Sequence, residues 1–302
     1  MLFPFRRLKQ SDLWQVPSPP KELWVQGSDL ALQLLERLPE QGLAIVGTRN
    51  PLPRSAVFLK NKISQLKNSP LVILSGFARG IDTIAHEAAL EARLPTVALL
   101  AAGLDFDYPR ENAALRSQIL QAGGLMVSEF PPGMAAQKHH FLLRNRLIAG
   151  WSKATWVVEA GERSGALNTA KWAREQDRTC FAVPSYPGDP QMAGNQTLLD
   201  RDHALAFWGI HSLGAVWLDL ASQNPLLPGL FKSSDPDETL LIQQITRLTY
   251  DQGSARIPEL FEWAAARNWD PRRFYLTLER AIQKQLIIEQ KGIFLANPGI
   301  NL

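Results

Sequence analysis

The sequence predicts a doubly wound, mostly parallel α/β domain followed by a small helical module closed by a hairpin. Three observations carry this. Six short apolar runs between Leu43 and Val183 alternate with stretches of helical pattern. None of those runs alternates polar with apolar residues, as expected of parallel strands buried on both faces. After Ala221 the texture changes to a stretch rich in Pro, Ser, Gly and Asp, and only then do helical patterns resume.

In order, the expected strands are Leu43–Val46, Leu71–Ser75, Thr96–Ala101, Leu125–Ser128, Thr155–Glu159 and Thr179–Val183. The expected helices between them lie near Pro53–Leu66, Asp82–Ala92, Arg110–Gln121, Phe141–Trp151 and Ala166–Glu175. Residues 1–24 are expected to be a short N-terminal extension of a first domain, 1–221, with a linker over 222–237 and a second domain over 238–302. In that second domain helices are expected near Glu238–Tyr250 and Ile257–Arg267. Asp270 as N-cap and Pro271 at the first helical position mark a third, reaching about Lys284. Leu286–Gln290 and Ile293–Ala296 flank Lys291-Gly292 as a tight hairpin. Three helices and a hairpin suggest a winged helix of about 60 residues.

Composition removes several classes. At 302 residues and 45% hydrophobic content the chain is globular, with length for about two domains. Its single cysteine, Cys180, excludes a disulfide framework and a cysteine-based zinc site. The longest apolar stretch, near Thr96–Leu104, is about half a membrane span, and the N-terminus lacks the apolar core of a signal peptide. A cytoplasmic chain without membrane insertion is expected.

The net charge of +3 is small, but the charge is unevenly placed. No acid occurs from Gln41 to Ile81, where Arg49, Arg54, Lys60, Lys62, Lys67 and Arg79 stand. A second acid-free run holds Lys138, Arg144, Arg146 and Lys153 beside His139 and His140. Two such runs in one domain favour a polyanion if the fold unites them.

The loops that follow the strands are rich in glycine. They include Gly47-Thr48-Arg49, Ser75-Gly-Phe-Ala-Arg79-Gly80, and Glu159-Ala-Gly-Glu-Arg163-Ser164-Gly165. All leave the carboxyl edge of the expected sheet, where open α/β sheets bind ligands, and glycine lets backbone N–H groups approach an anion. There is no P-loop, and Gly47-Thr-Arg-Asn lacks the later glycines of the dinucleotide fingerprint, so neither nucleotide cofactor is expected. Asp82 and His86 lie at i, i+4 and are expected to stabilise the start of their helix rather than to hold a metal. Glu159, with no nucleophile or second carboxylate spaced to work with it, is expected to anchor its loop. Phe141 has two readings: a ring stacking on an unpaired base beside phosphate-holding cations, or the first buried residue of its helix with Leu142 and Leu143.

At these residues the sequence resembles the DNA-processing protein A family, also called DprA or Smf. The resemblance lies in AIVGTR, LSGFARGIDTIAH, ALLAAGLDFDYPREN, GGLMVSEFPPG, HFLLRNRLIAG, VVEAGERSGALNTA and FAVPSYPGDP, in that order, over about two thirds of the chain from Pro17 to Leu213. It implies an extended Rossmann-like domain, with an optional C-terminal winged helix. The implied function is non-enzymatic: binding and protecting incoming single-stranded DNA in natural transformation, and loading the RecA recombinase as a homodimer. It also implies DNA contacts at Gly47, Thr48 and Arg49, along Ser75, Gly76, Arg79 and Gly80, at Lys138 and Phe141, in Arg144-Asn145-Arg146, and at the Ser164-Gly165 turn. Leu142 stands where the family has a proline, and Pro51-Leu-Pro-Arg replaces its usual sequence after GTR. Two other classes remain open. EAGERSGALNT is loosely similar to the PGGxGTxxE of nucleotide phosphoribohydrolases, although the paired glycines and the glutamate are missing. A protein-docking scaffold centred on the winged helix is the other.

Overall fold

A computed structural model describes residues 4–9, 16–106, 108–185, 188–210, 212–213, 216–217, 235–252, 255–283, 287–290 and 293–296. Most of the expected linker, the hairpin turn Lys291-Gly292 and Leu286 lie outside the described residues. The chain forms two compact units, Met1–Phe207 and Trp208–Leu302.

The first unit is a nine-stranded sheet with the order β1-β2-β6-β5-β4-β3-β7-β8-β9. Its strands are β1 (Arg6–Lys9), β2 (Glu22–Gln26), β3 (Gly42–Val46), β4 (Val72–Ser75), β5 (Thr96–Leu100), β6 (Leu125–Ser128), β7 (Ala154–Val157), β8 (Thr179–Ala182) and β9 (Leu205–Ala206). From β3 to β9 neighbouring strands are parallel, which gives the expected doubly wound α/β class. The six expected strands and five expected helices are present, with ends moved by a few residues.

The expected extension, residues 1–24, holds β1 and the start of β2. β2 pairs antiparallel with β6, and β1 pairs antiparallel with β2, so the sheet gains two edge strands. Leu23 and Val25 drive this by burying completely. A further helix, α1 (Asp29–Gln41), is capped by Ser28, whose hydroxyl accepts from the Ala31 N–H at 3.1 Å.

The other helices are α2 (Pro53–Ser64), α3 (Ile81–Glu91), α4 (Ala113–Gln121), α5 (Lys138–Gly150), α6 (Ala166–Glu175) and α7 (Ala193–Asp200). One sheet face, with Ala44, Val46, Leu74, Val97 and Leu99, packs on Leu34 and Leu38 of α1, Leu147 of α5 and Ala170 of α6. Ala98, Leu100 and Met126 turn to the other face and meet Leu115 and Ile119 of α4. The buried faces explain the unbroken apolar runs: both pleats of each central strand are core.

The second unit has three helices, α8 (Pro236–Gln252), α9 (Ile257–Ala265) and α10 (Pro271–Gln283). Its antiparallel sheet has the order β10-β12-β11, from β10 (Ala255–Arg256), β11 (Ile287–Gln290) and β12 (Ile293–Ala296). Leu241, Ile245, Leu260, Phe274, Leu278, Ile287 and Phe294 form its core. Asp270 caps α10 as expected, accepting from the Arg273 N–H at 2.8 Å.

Candidate nucleic-acid interface

The sheet order reverses between β3 and β7, which are adjacent and parallel while their successors diverge to opposite sides. At such a switch point the loops after the two strands part and leave a crevice at the carboxyl edge. Here it is a groove of about 470 Å³ lined by Thr48, Arg49, Phe141, Arg144, Arg163 and Ser164, among others.

The Arg49 loop is held from three sides. The Thr48 N–H donates to the Glu159 carbonyl at 2.7 Å, and the Ile81 N–H donates to the Thr48 carbonyl at 3.1 Å. The buried Glu159 carboxylate accepts from the Leu52 N–H at 3.0 Å, so Glu159 anchors the loop. Gly80 starts α3 at φ +79°, and a Cβ there would stand 2.4 Å from the Thr48 carbonyl oxygen. Only glycine allows the loops after β3 and β4 to approach this closely. The side chain of Arg49 itself remains exposed.

Phe141 is half-buried, and its neighbours Leu142 and Leu143 are 47% and 41% exposed, which removes the reading of Phe141 as a core residue. The Arg49 guanidinium carbon lies 5.1 Å from the Phe141 ring centroid, and that of Arg144 lies 5.9 Å away. The Tyr108 ring is 5.7 Å from the same ring at 59°. Charge and an aromatic face therefore meet in one groove.

The three residues of the Arg144-Asn145-Arg146 run have separate fates. Arg144 is buried; it donates to the Gly76 carbonyl at 2.5 Å and to the Leu99 carbonyl. Burial lowers its pKa to about 10, with Arg49 pushing the same way and Asp82 opposing. Gly76 has no side chain because a Cβ would stand 2.7 Å from that guanidinium. Asn145 donates to Asn168 Oδ1 at 3.2 Å and to the Gly165 carbonyl at 3.4 Å, tying α5 to the Ser164-Gly165 turn.

Arg146 departs from the expectation. It is buried, donates to both Glu129 carboxylate oxygens at 2.7 Å, and also donates to the Ser18 carbonyl. Its donors are satisfied inside the protein, so it is structural in the free chain. Ser75 departs likewise: it is fully buried and donates its hydroxyl to the Ile45 carbonyl at 2.6 Å.

Asp82 and His86 serve the start of α3 and the core beneath it. The Asp82 carboxylate accepts from the Ala78 N–H at 3.3 Å, and burial raises its pKa to about 6 against the pull of Arg144. His86 Nδ1 lies 2.7 Å from Thr96 Oγ1, and burial lowers its pKa to about 3.

The groove thus unites Gly47, Thr48, Arg49, Phe141, Arg144, Asn145, Ser164 and Gly165. Gly76 and Gly80 brace it from behind. Lys138 is exposed at the first position of α5, outside the groove lining. Arg79 lines a separate cleft with Tyr108 and Arg110. Sequence reasoning did not single out Tyr108 or place Asp82 in the groove. An aromatic in a loop leaving the same sheet edge was the available signal for Tyr108.

The profile of the family described as DNA recombination-mediator protein A matches residues 4–214. Among curated proteins, the chain is similar to Protein Smf of Synechocystis sp., 40% identical over 228 residues, covering 72% of this chain and 55% of the relative. It is also similar to DNA processing protein DprA of Bacillus subtilis, 36% identical over 207 residues, covering 68% and 67% of the two chains. The chain spans about half the length of the first curated relatives it matches. A crystal structure of DNA processing protein A from Streptococcus pneumoniae aligns with a TM-score of 0.60 at 35% identity, over 67% of this chain and 71% of that one. A structure of DNA processing protein A from Helicobacter pylori, described for its unique single-stranded DNA binding mode, aligns with a TM-score of 0.63 at 29% identity. It covers 72% of this chain and 97% of that one.

Proposed function

The chain belongs to the DNA recombination-mediator protein A family, and on that premise we propose that it binds single-stranded DNA in the switch-point groove without catalysing a reaction. One observation carries this reading: exposed Arg49 stands over the face of half-buried Phe141, beside the Ser164-Gly165 turn. A phosphate is held by Arg49, Arg163 and the turn's backbone, while an unpaired base stacks on Phe141. A duplex keeps its bases stacked on one another and offers no face to that ring.

The role that follows is protection of single strands in transformation and recombination, and delivery of RecA to them, by a homodimer. The second unit fits a winged helix, its strand β10 between α8 and α9 and its hairpin after α10. On α10, Arg273 is paired with Asp237 at 2.7 Å and Arg280 with Asp235 at 3.1 Å. Those two cations are already paired, whereas Arg49 at the groove of the first unit stands over an aromatic ring. The phosphoribohydrolase reading is disfavoured by Glu159, whose carboxylate is buried and hydrogen-bonded to backbone.

The test is fluorescence anisotropy of an oligothymidylate and of a duplex, in the absence of ATP, over a salt series. The single strand binds more tightly, and log K falls with log salt by about 0.7 per phosphate contacted. Equal affinity for the duplex, or salt-independent binding, refutes the reading. Release of base from a nucleoside monophosphate would favour the hydrolase.

A further inference from the structure

We propose that a second cleft, formed by the loop after β5 and the turn at Arg110–Asn112, is a further nucleotide subsite that continues the groove beyond Phe141. The inference rests on the single-stranded DNA reading and extends it, by assigning a path to the strand and a role to residues that the first groove does not use.

The cleft has a volume of about 550 Å³, within the range of small-ligand sites, and Arg79, Phe106, Tyr108, Arg110 and Glu111 line it. Tyr108 is 45% exposed although it is a large ring in a folded loop. Its ring meets Phe141 at 5.7 Å, so the aromatic wall of the first groove and that of the second cleft form one ridge. An exposed aromatic adjoining a half-buried one, flanked by cations, makes the kind of stacking platform that single-stranded nucleic acids use, since every base has a face to stack.

Among the described residues, the cations of the cleft have at most a loose partner. The Arg110 side chain is exposed, and Arg79 has 59% of its side chain exposed, with Glu111 at 3.9 Å as a loose, solvated partner. A phosphate, which accepts several hydrogen bonds from a guanidinium, displaces such a partner readily.

The walls are fixed before any ligand arrives. The Gly103 N–H donates to the Met134 carbonyl at 2.8 Å, and the Gly133 N–H donates to Asp105 Oδ2 at 2.8 Å. Asn112 Nδ2 donates to the Phe77 carbonyl at 3.1 Å and holds the turn that carries Arg110. These bonds join the loops after β4, β5 and β6, so the cleft is preorganised. A strand entering by Arg163 and Ser164 would pass Arg49, cross the Phe141–Tyr108 ridge, and continue between Arg79 and Arg110.

The experiment compares affinities of the full chain for oligothymidylates of about 5 and about 12 nucleotides, lengths that bracket one groove and both. The readout is the ratio of the two affinities. Tyr108→Ala is expected to lower that ratio about tenfold, and Tyr108→Phe to preserve it, because stacking does not need the hydroxyl. Arg110→Ala, a change at an exposed position, is expected to lower the salt slope of the longer oligomer by about 0.7 and leave that of the shorter one unchanged. Melting temperature checks that each variant is folded. A ratio unchanged in Tyr108→Ala, including the case where both lengths weaken equally, overturns the second subsite and leaves Tyr108 as a support for Phe141. If the unmodified chain binds neither oligomer, the single-stranded DNA reading itself fails, so the two failures are distinguishable.

Discussion

Replacing Phe141 by alanine separates stacking from charge at the groove. The ring is mostly covered although not core, so most of the 3–5 kcal/mol lost when a core phenylalanine is truncated applies, or about 2–4 kcal/mol. The contacts of Arg49 and Arg144 with its face add about 0.5–1 kcal/mol at such a site. At roughly 2–4 °C per kcal/mol for a unit of this size, the melting temperature should fall by about 5–20 °C. The folded variant should lose about 1–3 kcal/mol of binding to single strands, a loss of about 5- to 150-fold. Its salt slope should not change, because a stacked base releases no counterions. The assay pairs thermal unfolding with anisotropy at several salt concentrations, well below the variant's melting temperature. A Phe141→Ala chain that binds as tightly as the parent when folded refutes the stacking role, and a lowered salt slope refutes the division of labour with Arg49.

Three further outcomes follow from the geometry. Arg49→Ala, at an exposed side chain, should lower the melting temperature by no more than about 4 °C, the contact with Phe141, and lower the salt slope by about 0.7, the share of one phosphate; an unaltered slope would remove Arg49 from the phosphate path. Arg146→Ala should cost about 3–5 kcal/mol of stability, measured by denaturant unfolding, because it strands the buried Glu129 carboxylate; a stable variant with a lowered salt slope would instead return Arg146 to the DNA site. Asp82 gives a pH dependence of definite sign. Its pKa is raised from 3.8 to about 6, so the folded chain holds this proton more tightly than the unfolded chain between those values. The group costs nothing below about pH 4, and its cost grows to about 3 kcal/mol as pH rises through about 6. Asp82→Asn should flatten that part of the stability profile measured by denaturant unfolding across pH 4–7, and an unchanged profile would refute the assignment.

The sequence by itself determined the fold class and the carboxyl-edge loops, and it named Arg49 as a candidate while leaving Phe141 between two readings. A parallel strand with helices on both faces must be apolar at every position, so Leu43–Val46 and Thr96–Leu100 announce themselves without reference to anything distant. The edge strands gave no such signal. Arg6–Lys9 is short and basic, with Arg7 exposed and Arg6 and Leu8 only half-buried, and becomes a strand only because Glu22–Gln26 lies beside it and β6 beside that.

Tertiary structure alone decided which cations are free. Arg144 and Arg146 stand two positions apart on α5 and are indistinguishable by residue type, yet one meets the carbonyls of Gly76 and Leu99 and the other a glutamate seventeen residues before it. Arg49, of the same type again, faces solvent and an aromatic ring. A guanidinium carries its charge everywhere, but its availability to a phosphate depends on which acceptors the fold places around it. Those acceptors come from strands and loops far away in the chain, so local pattern cannot supply them.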